Sequence, residues 1–307
     1  MSRKESCPTM FWIIQSAVSQ GILWGIMALG VYITFRVLNF ADLTVDGSFT
    51  LGGALSALMV LNGVDPLLAI LFATIGGMAA GLCTGVLNTK LRIPGLLASI
   101  LTQIALYSIN LRVMGSPNIS LLRIDTLFTR VRDLGFPDRW VTLALALVFT
   151  VAVIALMYWF FGTEIGSAIR ATGDNPRMIR ALGVHTDTTT ILALVLGNGL
   201  VALSGGLIAQ QQGYSDIGMG TGAIVIGLAA IIIGEVLFFK STFYLRLTGV
   251  IVGAVVYRIV IALVLRVGLR STDMKLFTAI LVALALYLPT LRSHARQFDL
   301  RRRGRHA

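Results

Sequence analysis

The side chains in this sequence that could do polar chemistry inside an apolar environment fall in two stretches and two isolated positions. The first stretch is Arg36-Val-Leu-Asn-Phe-Ala-Asp-Leu-Thr-Val-Asp-Gly-Ser48, which sets Asn39, Asp42, Thr44, Asp46 and Ser48 between two apolar runs. An amide, two carboxylates and two hydroxyls at this spacing offer hydrogen bonds and negative charge to a polar solute or a cation. The second stretch, Gln210-Gln-Gln-Gly-Tyr-Ser-Asp216, runs into the glycine-rich Ile217-Gly-Met-Gly-Thr-Gly222. Glu235 and Arg258 stand alone in otherwise apolar runs. An intramembrane ionisable group reads as functional by default, but an ion pair or a backbone clamp within a helical bundle suits these two better.

The chemistry these residues exclude is equally informative. No G-x-x-x-x-G-K-[ST] phosphate cradle occurs, and neither G-x-S-x-G nor H-E-x-x-H is found. Cys7 and Cys83 are the only cysteines, and His185, His294 and His306 are scattered. The expectation is no catalytic residue, no metal site, no disulfide framework and no cofactor bound by this chain.

Elements that would position such residues must lie in a membrane. Of 307 residues, 56% are hydrophobic and 13% charged, with mean hydropathy +0.85; soluble domains carry about 25% charge. Apolar runs recur at about 12–34, 49–61, 67–87, 96–111, 140–161, 188–210, 223–238, 247–265 and 277–288. The fold class is therefore all-α, a polytopic helical membrane protein of eight to ten spans. One transmembrane domain covers 1–307. The run at 49–61 is short for a crossing, which predicts a broken helix with Asp42–Ser48 irregular and lining a polar cavity. A long span, a polar glycine-bearing interruption and a short span occur at 12–61 and again at 188–238. That echo points to an inverted repeat with the solute path at its interface. Gly77, Gly81 and Gly85 form one small-residue face, suited to close helix approach. Gln103 and Asn110 are expected to bond between helices. The turn-rich stretch 112–139 reads as an extracytoplasmic loop.

The longest polar interval between the two apolar halves is Glu164-Ile-Gly-Ser-Ala-Ile-Arg-Ala-Thr-Gly-Asp-Asn-Pro-Arg-Met-Ile-Arg-Ala-Leu-Gly-Val-His185. Its pattern predicts two short helices, Ile165–Thr172 and Pro176–Leu182. Gly173 would end the first in a left-handed conformation, and Asp174 or Asn175 would cap the second. Pro176 would sit in the first turn and Gly183 would close the pair. The run Gly166, Ala168, Ile169, Arg170, Ala171, Gly173, Asn175, Pro176, Arg177, Ala181, Leu182, Gly183 resembles the cytoplasmic coupling loop of ABC importer permeases of the branched-chain amino acid/ribose type. The segment Asp-Leu-Thr-Val-Asp-Gly-Ser-Phe-Thr-Leu-Gly-Gly from Asp42 to Gly53 is similar to the branch that takes up aromatic amino acids, tryptophan and tyrosine. The sequence departs from that pattern at Lys240, where a glycine is common, and at His185, where Asn is common.

The resemblance implies a multi-pass permease in the cell membrane, without its own ATPase site, in an ATP-driven importer of a small solute such as an amino acid. It implies a second permease copy, two ATP-binding subunits seated on 162–187 and an extracytoplasmic solute-binding protein. Gly166, Ile169, Arg170, Ala171, Gly173, Asn175, Pro176, Arg177, Ala181 and Gly183 would carry the coupling. Asn39, Asp42, Thr44, Asp46, Ser48 and Asp216 would border the translocation path. The net charge of +11 does not point to nucleic acid, because its excess lies in the tail 291–307, which marks the cytoplasmic side and can meet anionic lipid. Alternating back from that tail puts the loop at 162–187 inside and the N-terminus outside. The alternative class is an ion-coupled secondary transporter using Asp42, Asp46 and Glu235, which needs no ATPase-docking loop.

Overall fold

A computed structural model describes residues 10–266, apart from 134, 136 and 239–241, together with 276, 279, 280 and 283. Most of the run at 277–288, the basic tail, Cys7 and the N-terminal charges lie outside the described residues. In chain order the elements are α1 (Met10–Val31), continued by a π-helical turn (Tyr32–Val37), α2 (Thr44–Leu61), α3 (Pro66–Thr89), α4 (Gly95–Met114) and β1 (Asn118–Ser120). There follow α5 (Leu127–Asp133), α6 (Asp138–Gly162), α7 (Glu164–Asp174), α8 (Pro176–Ala181), α9 (Thr186–Gln212), β2 (Tyr214–Asp216), α10 (Ala223–Leu237) and α11 (Phe243–Arg266). Among the described residues the chain is thus all-α apart from one two-stranded antiparallel ribbon, in which Asn118 faces Asp216 and Ser120 faces Tyr214.

Seven of these helices are long and apolar enough to cross a membrane, and α10 is a shorter apolar helix. Fifteen residues at 1.5 Å each give α10 about 22 Å, less than the ~30 Å hydrocarbon thickness. It can sit at membrane depth only if its ends are satisfied by protein.

The helices differ in what surrounds them. Burial within the chain is 83% for the most apolar part of α1 with its π turn, 72% for α2 and 67% for α9, against 28–39% for α3, α4, α6 and α11. α1, α2 and α9 therefore form the centre. The outer helices turn leucines and aromatics outward, among them Leu71, Leu101, Ile104, Val151 and Trp159. Such an apolar exterior is what lipid requires.

Close contact at the centre comes from small residues. A side chain on Gly77 or Gly81 of α3 would place its Cβ 2.3 Å from Ala202 Cβ or Leu194 O of α9. Without bulk there, the α3 and α9 backbones approach closely, and dispersion replaces the hydrophobic drive that lipid cannot supply. The small-residue face read from the sequence is pressed against α9, and Gly85 meets Ile191 of the same helix. Asn110 of α4 donates to Gly47 O of α2 at 3.1 Å, an interhelical bond of the kind expected.

Candidate functional site

Two polar regions stand out, one buried and one exposed. The buried region begins where α1 unwinds. Its last turn is π-helical, Leu38 N donates to Ile33 O and Phe40 N to Thr34 O, and Asn39 then takes φ +56°. Asparagine is among the few side chains that tolerate this left-handed region. The break spans Leu38–Leu43, and α2 begins at Thr44. This corrects the sequence expectation: Asp42 is irregular, but Thr44, Asp46 and Ser48 are already helical. The helix starts early because Asp42 Oδ1 accepts from Thr44 N at 3.0 Å, ordering the backbone just before the first turn.

Asp42 is 1% exposed in this structure. Its Oδ2 accepts from Asn198 Nδ2 of α9 at 2.7 Å, and that amide nitrogen also donates to Leu194 O at 3.0 Å. Asn198 Oδ1 in turn accepts from Ser48 Oγ at 2.7 Å. Thr44 Oγ1 lies 2.8 Å from Thr84 Oγ1 of α3. One carboxylate, one amide and three hydroxyls thus clasp α2 to α9 and α3, with both carboxylate oxygens engaged.

Asp46 does a different job. Its Oδ2 accepts from Gly222 N at 2.9 Å and its Oδ1 from Ile224 N at 3.0 Å, at the N-terminus of α10. One turn on, Thr50 Oγ1 accepts from Gly220 N at 3.1 Å. Donors at a helix start have no partner within their own helix, and a carboxylate there is also favoured by the helix dipole. α2 therefore caps α10 from outside. The two glycine-bearing interruptions read from the sequence meet at this point. Gly220 fits because a Cβ would lie 2.0 Å from Asp46 O. α2 runs alongside α9, Ser48 by Asn198 and Ser56 by Gln210. α10 runs the opposite way to α2.

The remaining candidates separate. Asn39 is exposed on the turn. Asp216 accepts from Gly218 N at 2.8 Å and shapes its own turn. Glu235 pairs with Arg36 at 2.6 Å, at the end of α1 next to the break. The Arg258 guanidinium stacks 4.3 Å from the Trp24 ring centroid, and Trp24 packs on Phe49 at 5.0 Å. Glu235 thus forms an intrabundle ion pair, and Arg258 a cation–π contact. Sequence reasoning missed Asn198 and Gln210 as ties. Gln210 donates to Ser56 Oγ and Pro66 O and accepts from Leu127 N. An amide between Gly197 and Gly199 in an apolar run was the available signal for Asn198.

The exposed region is the helix pair α7–α8. Thr163 caps α7 through its hydroxyl, and Asn175 Oδ1 accepts from Met178 N at 3.1 Å to cap α8, with Pro176 in its first turn. Gly183 takes φ +87° and closes the pair. Gly173, however, stays inside α7. It is glycine because a Cβ there would lie 1.9 Å from Val37 O. Gly166 is likewise pressed on Phe160 O, at 2.3 Å. Ile169 is fully buried in the main core. Arg170 donates to Phe161 O at 2.8 Å and lies 5.3 Å from the Phe243 ring, so it binds the loop to the bundle. Thr172 and Thr189 hydroxyls meet at 2.9 Å, and Ala171 is half-buried.

The other face of the pair has no such attachments. Asn175, Pro176, Arg177, Ala181 and Gly183 are exposed, as are Met178 at 51% and Leu182 at 71%. The coupling residues named from the sequence therefore divide into an anchoring set, Gly166, Ile169, Arg170, Ala171 and Gly173, and an outward set.

Comparison with known proteins gives these two regions their context. The model of the family described as branched-chain amino acid transport system / permease component matches residues 13–288. A tyrosine transport system permease protein of Clostridioides difficile is 44% identical over 269 residues, 88% of either chain. An autoinducer 2 import system permease of Yersinia pseudotuberculosis is 34% identical over 184 residues, 59% of this chain and half of that one. A solved structure described as a metal-chelate type ABC transporter, in an inward-facing conformation, aligns over 92% of this chain and 86% of its own. Its TM-score is 0.52 at 15% identity, a likeness of fold alone. The chain belongs to the branched-chain amino acid transport system permease family and is the permease subunit of an ABC transporter, a multi-pass inner-membrane protein.

Proposed function

We propose that this permease imports a small amino acid-like solute, aromatic in kind, and that α7–α8 transmits the work of a separate ATPase to the bundle. The observation that carries the reading is the two-sided construction of that helix pair. One side is fixed to α1, α6 and α9 through Ile169, Gly173, Arg170 and Thr172. The other presents Met178 and Leu182 to solvent beside Arg177. Exposed apolar side chains rimmed by charge mark a protein interaction surface. A rigid connection behind an adhesive face is a lever.

The substrate class follows from the tyrosine transport permease that is 44% identical. The importing direction follows from the autoinducer 2 import permease. In this reading two copies of the permease enclose the path, two ATP-binding subunits sit beneath them, and an extracytoplasmic binding protein delivers the solute. ATP binding draws the α8 faces together, and the bundles rotate as rigid bodies to switch access. This chain binds no nucleotide and holds no cofactor. The buried clasp keeps α2, α9 and α10 moving as one piece, so that a force applied at Gly173 reaches the break after α1.

The test is co-expression with an ATP-binding subunit from the same organism, followed by ATP-dependent tyrosine uptake in vesicles. Met178→Asp with Leu182→Asp is expected to abolish co-purification of the ATPase and uptake together while leaving the permease folded. Retained co-purification in that variant would remove α8 as the seat. Uptake of other amino acids but not tyrosine would correct the substrate class alone.

A further inference from the structure

A cavity of about 740 Å³ opens behind the helix pair, walled by α8, the start of α9, the end of α3, the α3–α4 turn and the break after α1. Its basic groups are Arg92 and Arg180, with His185 beside them and Asp187 as the single carboxylate. Neither arginine enters an ion pair with a described carboxylate. Arg180 donates to the Thr186 hydroxyl through Nε and Nη2, at 3.2 and 2.6 Å, which leaves further guanidinium donors unused. Asn88 Nδ2 donates to Ile93 O at 2.9 Å and closes the turn on which Arg92 stands exposed. Thr89 and Thr190 add hydroxyls to the wall.

This chemistry suits an anion with several acceptor oxygens. Arginine recognises phosphate and carboxylate through parallel N–H bonds, and two arginines on separate elements can clamp one phosphate between them. The surroundings select the source. Leu91, Leu96 and Leu97, flanking Arg92, are 62%, 51% and 53% exposed. Lys90 is exposed next to them. Apolar side chains fanned around a cationic opening at the end of a membrane helix place that opening at the level where acyl chains meet headgroups. Basic pockets between transmembrane helices on the cytoplasmic side bind anionic headgroups.

We propose that this cavity holds the phosphate of an anionic phospholipid, clamped by Arg92 and Arg180, and that the lipid ties α8 to the α3–α4 turn. The site rests on the proposed function, in which α8 seats the ATPase and so lies on the cytoplasmic side. Its consequence is regulatory: a headgroup bridging the lever and the fixed bundle stiffens their connection, so the anionic lipid content of the membrane sets how firmly ATPase movement is transmitted.

The experiment uses the full chain purified alone, so its outcome does not depend on ATPase docking. The permease is placed in nanodiscs of phosphatidylcholine with or without phosphatidylglycerol, and retained lipid is counted by native mass spectrometry. Wild type is expected to retain phosphatidylglycerol over phosphatidylcholine. Arg92→Gln with Arg180→Gln is expected to weaken that retention by roughly thirtyfold, the effect of two cations at an anionic surface. Arg92→Lys with Arg180→Lys should recover most of it. Arg92→Gln alone, on an exposed turn, should weaken it by about fivefold and covers the case in which the double variant does not fold. Equal phosphatidylglycerol retention in wild type and the Gln variants overturns the site. Displacement of the lipid by millimolar inorganic phosphate would show a soluble phosphate site instead and overturn the lipid assignment.

Discussion

The clasp at Asp42–Ser48 and the helix pair α7–α8 are both polar interruptions in an apolar chain, yet the structure treats them in opposite ways. In the clasp, both Asp42 oxygens, both Asn198 side-chain groups and both Asp46 oxygens find partners inside the chain. In α8, Asn175 is satisfied by its own helix, while Arg177, Met178 and Leu182 face outward. A region whose polar groups are all paired internally has its ligand already, and that ligand is the rest of the protein. A region with an anchored back and an open apolar front has the form of an interaction surface. The carboxylates that looked most like transport chemistry in the sequence are thus bonded within the scaffold, and the helix pair read from the sequence as a coupling loop keeps an outward face with exposed apolar side chains.

The strongest way to break this contrast is to remove a member of the clasp. Asp42→Ala would leave Asn198 Nδ2 and Thr44 N without their carboxylate partner in the buried centre. Each orphaned buried donor costs about 1–3 kcal/mol. The expected outcome is a drop of several degrees in the melting temperature of the detergent-solubilised permease, with reduced yield. Asp42→Asn keeps the shape and one acceptor, and should lose less. An Asp42→Ala protein of unchanged stability but altered transport would place this residue in the solute path and not in the clasp. Asp46→Ala should act more locally, with the faster amide exchange confined to Gly222 and the first turn of α10.

The converse experiment perturbs the lever without touching its front. Gly173→Val must displace α7 from Val37 O, because even a Cβ would overlap that oxygen. ATPase binding through α8 is expected to persist while ATP-dependent uptake falls by tenfold or more. Arg177→Glu, on the outward face, should do the reverse and weaken ATPase co-purification with little change in stability. If both variants lose binding and stability together, α7–α8 is a single folding unit with no division between anchor and front.

How much of this was readable beforehand depends on the range of the interactions. The helix pair is encoded locally: Asn175 caps, Pro176 starts and Gly183 stops within a few residues, and each is found in that role. Gly173 was misread because two reasons for a glycine look alike in sequence. A left-handed turn and a close backbone approach both forbid a side chain, and only the position of Val37, more than a hundred residues earlier, tells them apart. The start of α2 was misplaced for a similar reason. Polar residues in an apolar chain suggested irregular backbone, whereas Asn198, Thr84 and the α10 terminus satisfy them in a helix. Asn198 itself gave only a faint signal, since a lone amide in an apolar run says nothing about which carboxylate it meets.

A smaller effect is expected from the Arg36–Glu235 pair. Both side chains are partly open, at 56% and 35% exposure, and pairs of this kind contribute about 0–1 kcal/mol. Glu235→Gln should shift the melting temperature by no more than a degree or two. A loss comparable to that of Asp42→Ala would show that the ends of α1 and α10 belong to the clasp as well.

The weakest case sharpens the rule that exposed polar contacts in this protein contribute little. Asp65 caps α3 by accepting from Leu67 N at 2.9 Å and also pairs with Arg130 of α5. The Arg130 hydrogen bond, followed by that of Leu67 N, holds its carboxyl below the ordinary value of 3.8. A carboxyl with a depressed folded-state pKa stabilises the fold above its unfolded value, and that contribution is lost as pH falls through the folded one. Here the window lies at and below pH 3.8, so near-neutral conditions carry the full effect. Asp65→Asn separates the two roles, because Asn caps a helix about as well as Asp but has no charge for Arg130. At about pH 5 the variant should show slightly faster amide exchange in α5 with α3 unchanged, and the difference should shrink as pH falls below 3.8. A difference that persists at the lower pH would mean that Asp65 holds α5 through its shape and hydrogen bonding, not its charge.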